Sequence, residues 1–593
     1  MADIAVTRAA VTTGAVASTQ DITVTGFGTP SAALLVYTSG VTDGTIAASS
    51  RWGIGATDGT TSAAYITRAT DAQATSSTGR NSNADRVILS ISDGATTVDG
   101  YCTGALITDG IQLTVGDQMP AGYLVTVVLF SSNCSASVIN WNLGTVTTAQ
   151  DVNTVGFTPD VVFAFSHGDA LAGGSGFNIT TFGVAVNDGS ATQRSIGTRN
   201  RTSTASGQPV EGYYDNRVGT SITATATTVV YDLLISDFDA SGFSVTASAS
   251  AGSDYVTFLS IKLPTGDQFK LFDVTVPTTG SIAVTSPNFT PYFGLMNFIA
   301  GPTAANTLDD SNGLGLSLAV FDASAIYTNS ISSQDAADPT VEKSLADDSF
   351  TLLKADGTTE TTSSGYAFDS QGWDVTLTAN PAAAILGFGL AIGDATTTVT
   401  GSGTPAAQSA TATGAATRTI TGTGTPTAQA ATASGTAERE ITGSGAPQAQ
   451  ASTVAGTGQV GSMVTGSGTP AAQNATVSGT ALRVITGTGT PTAQSSTAAG
   501  TATRIITGSG AIAANDATVV GSGAGLQLVT GTGSAVSGSA STTGVALRIV
   551  TGSGALQAQA ATVSGYDLYT PSRFVAVAGN ENRTAKVASR ARR

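Results

Sequence analysis

Short apolar runs of 5 to 8 residues, rich in Val, Ile and Phe, recur through the first 393 residues, separated by Asp-Gly, Asn-Asp-Gly or Gly-Gly. Runs of that length between such turn residues predict β-strands. No stretch of this region keeps a helical period over three turns, so the expected class is all-β. Three of the runs, YLVTVVLF (123–130), YVTFLSIKL (255–263) and AAILGFGLAIG (383–393), each follow a similar series of shorter elements.

Those elements repeat. GFGTPSAALLVYTSG (26–40) returns as GFTPDVVFAFSHG (156–168) and NFTPYFGLMNFIAG (288–301), with Pro30, Pro159 and Pro291 spaced by 129 and 132 residues. TDGIQLTV (108–115), FDASGFSVT (238–246) and FDSQGWDVT (368–376) set Gly110, Gly242 and Gly372 at steps of 132 and 130. A third marker, WGIGATDG (52–59) and FGVAVNDG (182–189), is matched in two copies only, which implies diverged loops in the third. The expectation is three tandem β-sandwich or jelly-roll-like domains, at 1–140, 141–271 and 272–393. Of 36 aromatic residues, 33 precede residue 394, where sandwich cores have to be filled. Phe243, Trp373 and Ile111 at the FD-x-x-G-F/W element are expected to point inward.

At residue 394 the pattern changes. From 394 to 565 there is no aromatic residue and only nine charged ones. TG[ST]G recurs at Thr400, Thr421, Thr442, Thr465, Thr486, Thr507, Thr530 and Thr551, at intervals of 21, 21, 23, 21, 21, 23 and 21. Gln408, Gln429, Gln450, Gln473, Gln494, Asn515 and Gln559 lie eight residues after a marker Thr, and Arg418, Arg439, Arg483, Arg504 and Arg548 three before one. Fixed phase of this kind is not needed by a flexible linker. Strands of Ala, Thr, Ser and Val bury too little apolar surface alone to offset backbone ordering, so repeats have to stack or identical chains to wind together. Residues 394–565 are therefore expected to be a β-fibre shaft, an intertwined homotrimer with the amide residues forming hydrogen-bonded ladders. The segment 566–593 brings back Tyr566, Tyr569 and Phe574 and holds six basic side chains and one acid after residue 572. Arg573, Phe574, Arg583, Lys586, Arg590, Arg592 and Arg593 are the candidates for anchoring the chain to an acidic partner.

Charge and chemistry narrow the function. With 24 basic and 40 acidic residues the net charge is −16, which disfavours nucleic acid as a partner. Charged residues are only 11% of the chain, so helical bundles are excluded on composition. The two cysteines, Cys102 and Cys134, rule out a disulfide scaffold; whether they pair is left open. His167 is the single histidine and follows the run VVFAF (161–165), so His-based triads and multi-histidine metal sites are not available. The acid pairs Asp309-Asp310 and Asp347-Asp348 sit in polar, turn-like stretches and are expected to be solvated. No catalytic residue, cofactor or metal is expected. The start, MADIAVTRAAVTTGAVAS, has no apolar core of signal-peptide length, and the longest apolar run (382–392) is about half of a bilayer span, so neither export nor membrane insertion is expected.

The tandem GF-x-P units with their FD-x-x-GF strands, the ITGTGTPTAQAATASGTA repeats and the ENRT-x-x-V ending resemble virion structural proteins of tailed bacteriophages. The resemblance spans nearly the whole chain. It implies a non-enzymatic fibre or spike, released by lysis after assembly in the host cytoplasm, whose partners are further copies of itself, other virion proteins of capsid, neck or tail, and a host surface glycan or protein. A capsid decoration or neck protein, or a bacterial surface adhesin, are the other readings.

Overall fold

Strands whose residues alternate between two buried environments read as continuous apolar runs, and the computed structural model places the runs of the first 393 residues in such strands. It describes residues 3–393 apart from short segments, the longest being 167–173, 202–208, 223–228, 249–254 and 335–341, together with the strands between 396 and 563. The described residues are all-β, with no α-helix and one 3-10 turn at Asn153–Val155. Two compact units are present, Met1–Asp394 and Ala395–Arg593.

In the first unit each sequence copy builds one large and one small antiparallel sheet. The first copy aligns Ile4–Val11, Tyr123–Phe130, Ala32–Ser39, Ser50–Thr57, Ser62–Ala69 and Thr78–Asn83 in that spatial order. The second aligns Ser135–Asn142, Tyr255–Lys262, Val161–Ser166, Phe177–Val186, Thr192–Arg201 and Val210–Tyr214 in the same order. The third aligns Gln268–Val276, Ile385–Gly393, Phe293–Ile299, Leu314–Asp322, Ile326–Ser333 and Glu342–Asp347. Ser135–Asn142 runs across the limit placed at 140, and Gln268–Val276 across that placed at 271, each pairing with strands of the following copy. Facing each large sheet is a four-stranded one, which in the first copy consists of Thr19–Thr23, Gly110–Asp117, Gly100–Ile107 and Ile88–Ser90.

Between the two sheets of each copy lies an apolar core. Ile111, Phe243 and Trp373 are fully buried there, as the FD-x-x-G-F/W pattern implied. The marker glycine before each of them has a steric cause. A Cβ at Gly110, Gly242 or Gly372 would sit 2.0, 1.9 or 2.1 Å from the carbonyl oxygen of Ile22, Val152 or Val284 on the neighbouring strand. No side chain fits at that distance.

A fourth core joins the copies. Along Ala32–Val36 alternate residues divide between cores: Ala33 and Leu35 face the small sheet, whereas Ala32, Leu34 and Val36 join a cluster containing Val161, Phe163 and Phe165 of the second copy and Phe293, Leu295 and Ile299 of the third. Burying one such Phe or Leu fully contributes roughly 1.5–3 kcal/mol.

The large sheets are also linked at their edges. Each becomes seven-stranded by accepting a short strand from another copy: Gly174–Ser175 of the second joins the first, Thr307–Asp309 of the third joins the second, and Ala47–Ala48 of the first joins the third. The donations run in a circle, so the three copies form a closed ring within one chain.

The second unit is parallel. Each 21- or 23-residue repeat contributes one strand to each of three eight-stranded sheets, and successive repeats pair in register. The marker threonines are register partners throughout, from Thr400↔Thr421 to Thr530↔Thr551. One repeat is thus one turn of a coil. In the first longer repeat the pairing offset is 21 at Ala431↔Ser452 and 23 at Ala437↔Val460, which puts its two extra residues between the last strand of one turn and the first of the next. The second does the same between Ser496↔Ala517 and Ala502↔Gly525. Val464 and Ile485, partners on adjacent strands, are fully buried, while Met463 and Leu482 are exposed. The strand pairing that the sequence analysis assigned in part to partner chains is made here between turns of one chain.

Candidate functional site

The seams of the ring carry the most organised polar chemistry in the described residues. At each seam the first strand of one copy lies against the preceding copy, the third preceding the first. Turns after the fourth strands begin with Asp58, Asp188 and Asp322, whose Oδ1 atoms cap the turn amides: Thr60 and Thr61 on Asp58, Ser190 and Thr192 on Asp188, Ser324 and Ala325 on Asp322. At two of them the second oxygen reaches across. Asp58 Oδ2 accepts the amide of Val138 at 2.8 Å, and Asp322 Oδ2 accepts the amide of Val6 at 2.9 Å. Leu314–Asp322 therefore holds the place of the WGIGATDG and FGVAVNDG strands. The third copy does contain this element, as LSLAVFDA (316–323), with Leu and Ser replacing Trp or Phe and Gly; its turn has not diverged as expected.

Two residues further along each first strand the seams differ from one another. Arg8, 4% exposed in its side chain, donates to Asp43 Oδ1 at 2.8 Å, to the Thr328 carbonyl at 2.8 Å and to Asp348 Oδ1 at 3.5 Å, and lies over the Tyr327 ring. Burial lowers the Arg8 pKa while Asp43 and Asp348 raise it, so these carboxylates are what keeps a buried guanidinium acceptable. Asn140 takes the same place in the second copy, donating to the Ser62 carbonyl at 3.4 Å and lying 2.6 Å from the Thr257 hydroxyl, which also bonds Tyr65. In the third copy the place belongs to Asp273, which accepts from Arg194 Nε at 2.6 Å and from the Tyr213 hydroxyl.

All three copies meet at Glu342. Its Oε1 accepts from Asn200 and Ser333 at 2.8 Å each, its Oε2 from Ser50 at 3.3 Å, and its amide donates to Asp71 at 3.0 Å. Lys343 pairs with the same Asp71. Burial pushes the Glu342 carboxyl up to about 8, against the hydroxyl and amide donors that lower it. Glu211, fully buried and accepting from the Gly315 amide, is raised well above its usual range for the same reason.

A cleft of about 260 Å3 opens at the seam between the first and third copies, lined mainly by Ile4, Ala5, Val24, Phe27, Tyr292 and Ser324. Two of its polar groups are engaged already: the Tyr292 hydroxyl donates to Asp267, and the Ser324 hydroxyl to Asp322. The lining offers mainly apolar contact to a small group. Cys102 and Cys134 are buried free thiols in different cores, pushed up to about 12 by burial, so neither is a ready thiolate. Among the described residues no cluster of His, Cys, Asp or Glu is arranged to hold a metal ion, and no helix is long and apolar enough to cross a membrane.

The candidates from the sequence fall elsewhere. The ladder residues Gln408, Gln429, Gln450, Gln473, Gln494, Asn515 and Gln559 lie outside the described residues, as do Arg573, Phe574, Arg583, Lys586, Arg590, Arg592, Arg593 and His167. The backbones of Arg418 and Arg439, and of Arg483 and Arg504, are register partners on adjacent strands. Asp348, read as solvated, is 64% exposed in its side chain and lies beside the Arg8 seam as well, and Asp347 accepts from Thr351. The seam residues escaped the sequence analysis because they differ from copy to copy; Asp58 and Asp188 were visible inside a marker, without a reason to single them out.

No protein-family model matches the chain, and no curated protein matches it.

Proposed function

We propose that the chain is a non-enzymatic virion appendage of a tailed bacteriophage, a fibre or spike in which three tandem sandwich domains attach to the host surface and a β-repeat shaft carries them. The observation that supports this reading best is that strand pairing is made inside one chain, with each large sheet of the first unit taking an edge strand from another copy and successive turns of the second unit pairing in register. Unpaired edges invite aggregation. A structural part displayed outside a cell, at high local density on a particle, needs them closed. Loops on a rigid β-scaffold supply variable contact surface, and the first unit offers many.

The homotrimer expected from the sequence rested on edges that needed partner chains. With successive repeats paired turn to turn in cis, one chain per fibre is sufficient, and we take the fibre to be a single chain. Residues 566–593, basic on an acidic chain, serve as the anchor, and residues 1–393 face outward. The experiment is to image tagged protein on particles and to delete 566–593. A folded protein that no longer joins particles agrees with the reading; normal incorporation without 566–593, or no association with particles at all, rejects it.

A further inference from the structure

Part of the apolar packing at the three seams is alike. Val6, Val138 and Leu271 occupy the same register position on their strands, opposite Val128, Leu259 and Leu390, and all six lie in the shared core. Two residues earlier the same strands carry Ile4, Ala136 and Phe269, which differ in size against the shared core, so apolar packing tells the seams apart only in part. What packing leaves undecided, a wrong order or a seam with a second chain, has to be rejected by other contacts.

The polar position two residues on does tell them apart: arginine, asparagine and aspartate at Arg8, Asn140 and Asp273, each facing a different partner set. We propose that these three unlike pairs are a pairing code, which fixes the order of the copies around the ring and rejects mispaired seams between chains. The charges support it in both directions. Arg8 placed on the second copy would meet Arg194, which already serves Asp273. Asp273 placed on the third copy would meet Asp348, which already serves Arg8. Like charges brought together at a wrong seam disfavour it, and specificity between similar surfaces is commonly obtained from such repulsion. Correct surfaces on a second chain are outcompeted differently: the tethered copy is present at a far higher effective concentration. Edge-strand donation then follows from the order so chosen, because each short strand reaches only the copy its own seam has placed beside it.

The test uses the full chain. Asp273 is 58% exposed in its side chain, so Asp273→Arg is tolerated locally while setting Arg against Arg194. The same arginine suits Asp348 on the third copy of another molecule. D273R is expected to shift more than half of the protein at micromolar concentration into species of two or more chains. Asp237→Arg, an equal charge change at an exposed position of the small sheet, is expected to leave the single-chain population unchanged. The reversed pair R194E/D273R is expected to return the protein to single chains. A D273R protein that stays single-chain, whatever its melting temperature, overturns the proposal, and so does a reversed pair no better than D273R alone.

Discussion

The amide of Val6 donates a 2.9 Å hydrogen bond to Oδ2 of Asp322, 316 residues later in the chain. Val138 and Asp58 make the equivalent bond at 2.8 Å between the first two copies. One relationship links neighbours in sequence and the other joins the two ends of the series, and their sameness is what makes the arrangement a ring and not a row. Asp188, at the third seam, caps its turn without such a bond.

That asymmetry sets the first prediction. Asp322→Ala removes turn caps and leaves a buried amide unpaired across the seam, whereas Asp188→Ala removes turn caps alone. D322A should cost about 1–3 kcal/mol more than D188A. Chemical denaturation of the two variants measures the difference; equal losses would remove Asp322 from ring closure.

Asn297 stands six residues after its marker proline, where the other copies have Val36 and Phe165 of the shared core, and its two amide atoms are buried without hydrogen-bond partners. An unsatisfied buried amide destabilises by roughly 1–3 kcal/mol. Asn297→Val should therefore raise the melting temperature of the first unit. A lower one would mean that the amide has a polar partner.

Glu342 makes the ring pH-sensitive. Its carboxyl is raised from 4.5 to about 8 in the fold, so between those values the folded state holds a proton that the unfolded state has lost. The stability contribution is complete below about 4.5 and lost as pH rises through about 8, at up to about 1.4 kcal/mol per pH unit between them. Glu342→Gln should flatten this part of the stability-pH curve. An unchanged slope would assign the titration to another group.

The coil predicts a length rule. Deleting residues 422–442, from one marker to the next, removes one whole turn and leaves the register of the others intact. It should keep the β circular-dichroism signal and the protease resistance of the second unit. Deleting 422–431 breaks the register and should expose the unit to protease. Equal behaviour of the two deletions would contradict one repeat per turn.

Sequence reading worked where the same physical demand recurs. Gly110, Gly242 and Gly372 repeat because a carbonyl oxygen leaves no room for a side chain at each, and the marker threonines repeat because each turn stacks on the last. It missed what depends on difference. Arg8, Asn140 and Asp273 cannot be found by looking for similarity, and Gly174–Ser175 and Ala47–Ala48 are too short to show any strand pattern. One signal was present and unused: LLVYTSG and VVFAF are apolar on both faces, whereas a sandwich strand with a solvated outer face alternates. For the repeat region, stacking turns and winding chains satisfy the same edges, and composition favours neither. The fold class and the repeats were legible; the ring was not.

That the strands of both units pair within one chain and need no partner chain is tested most directly by the native mass of the full-length protein at micromolar concentration. The account predicts a single species of one chain, 58.5 kDa. A stable species of three chains that persists on dilution would contradict it, and would return the second unit to an intertwined trimer.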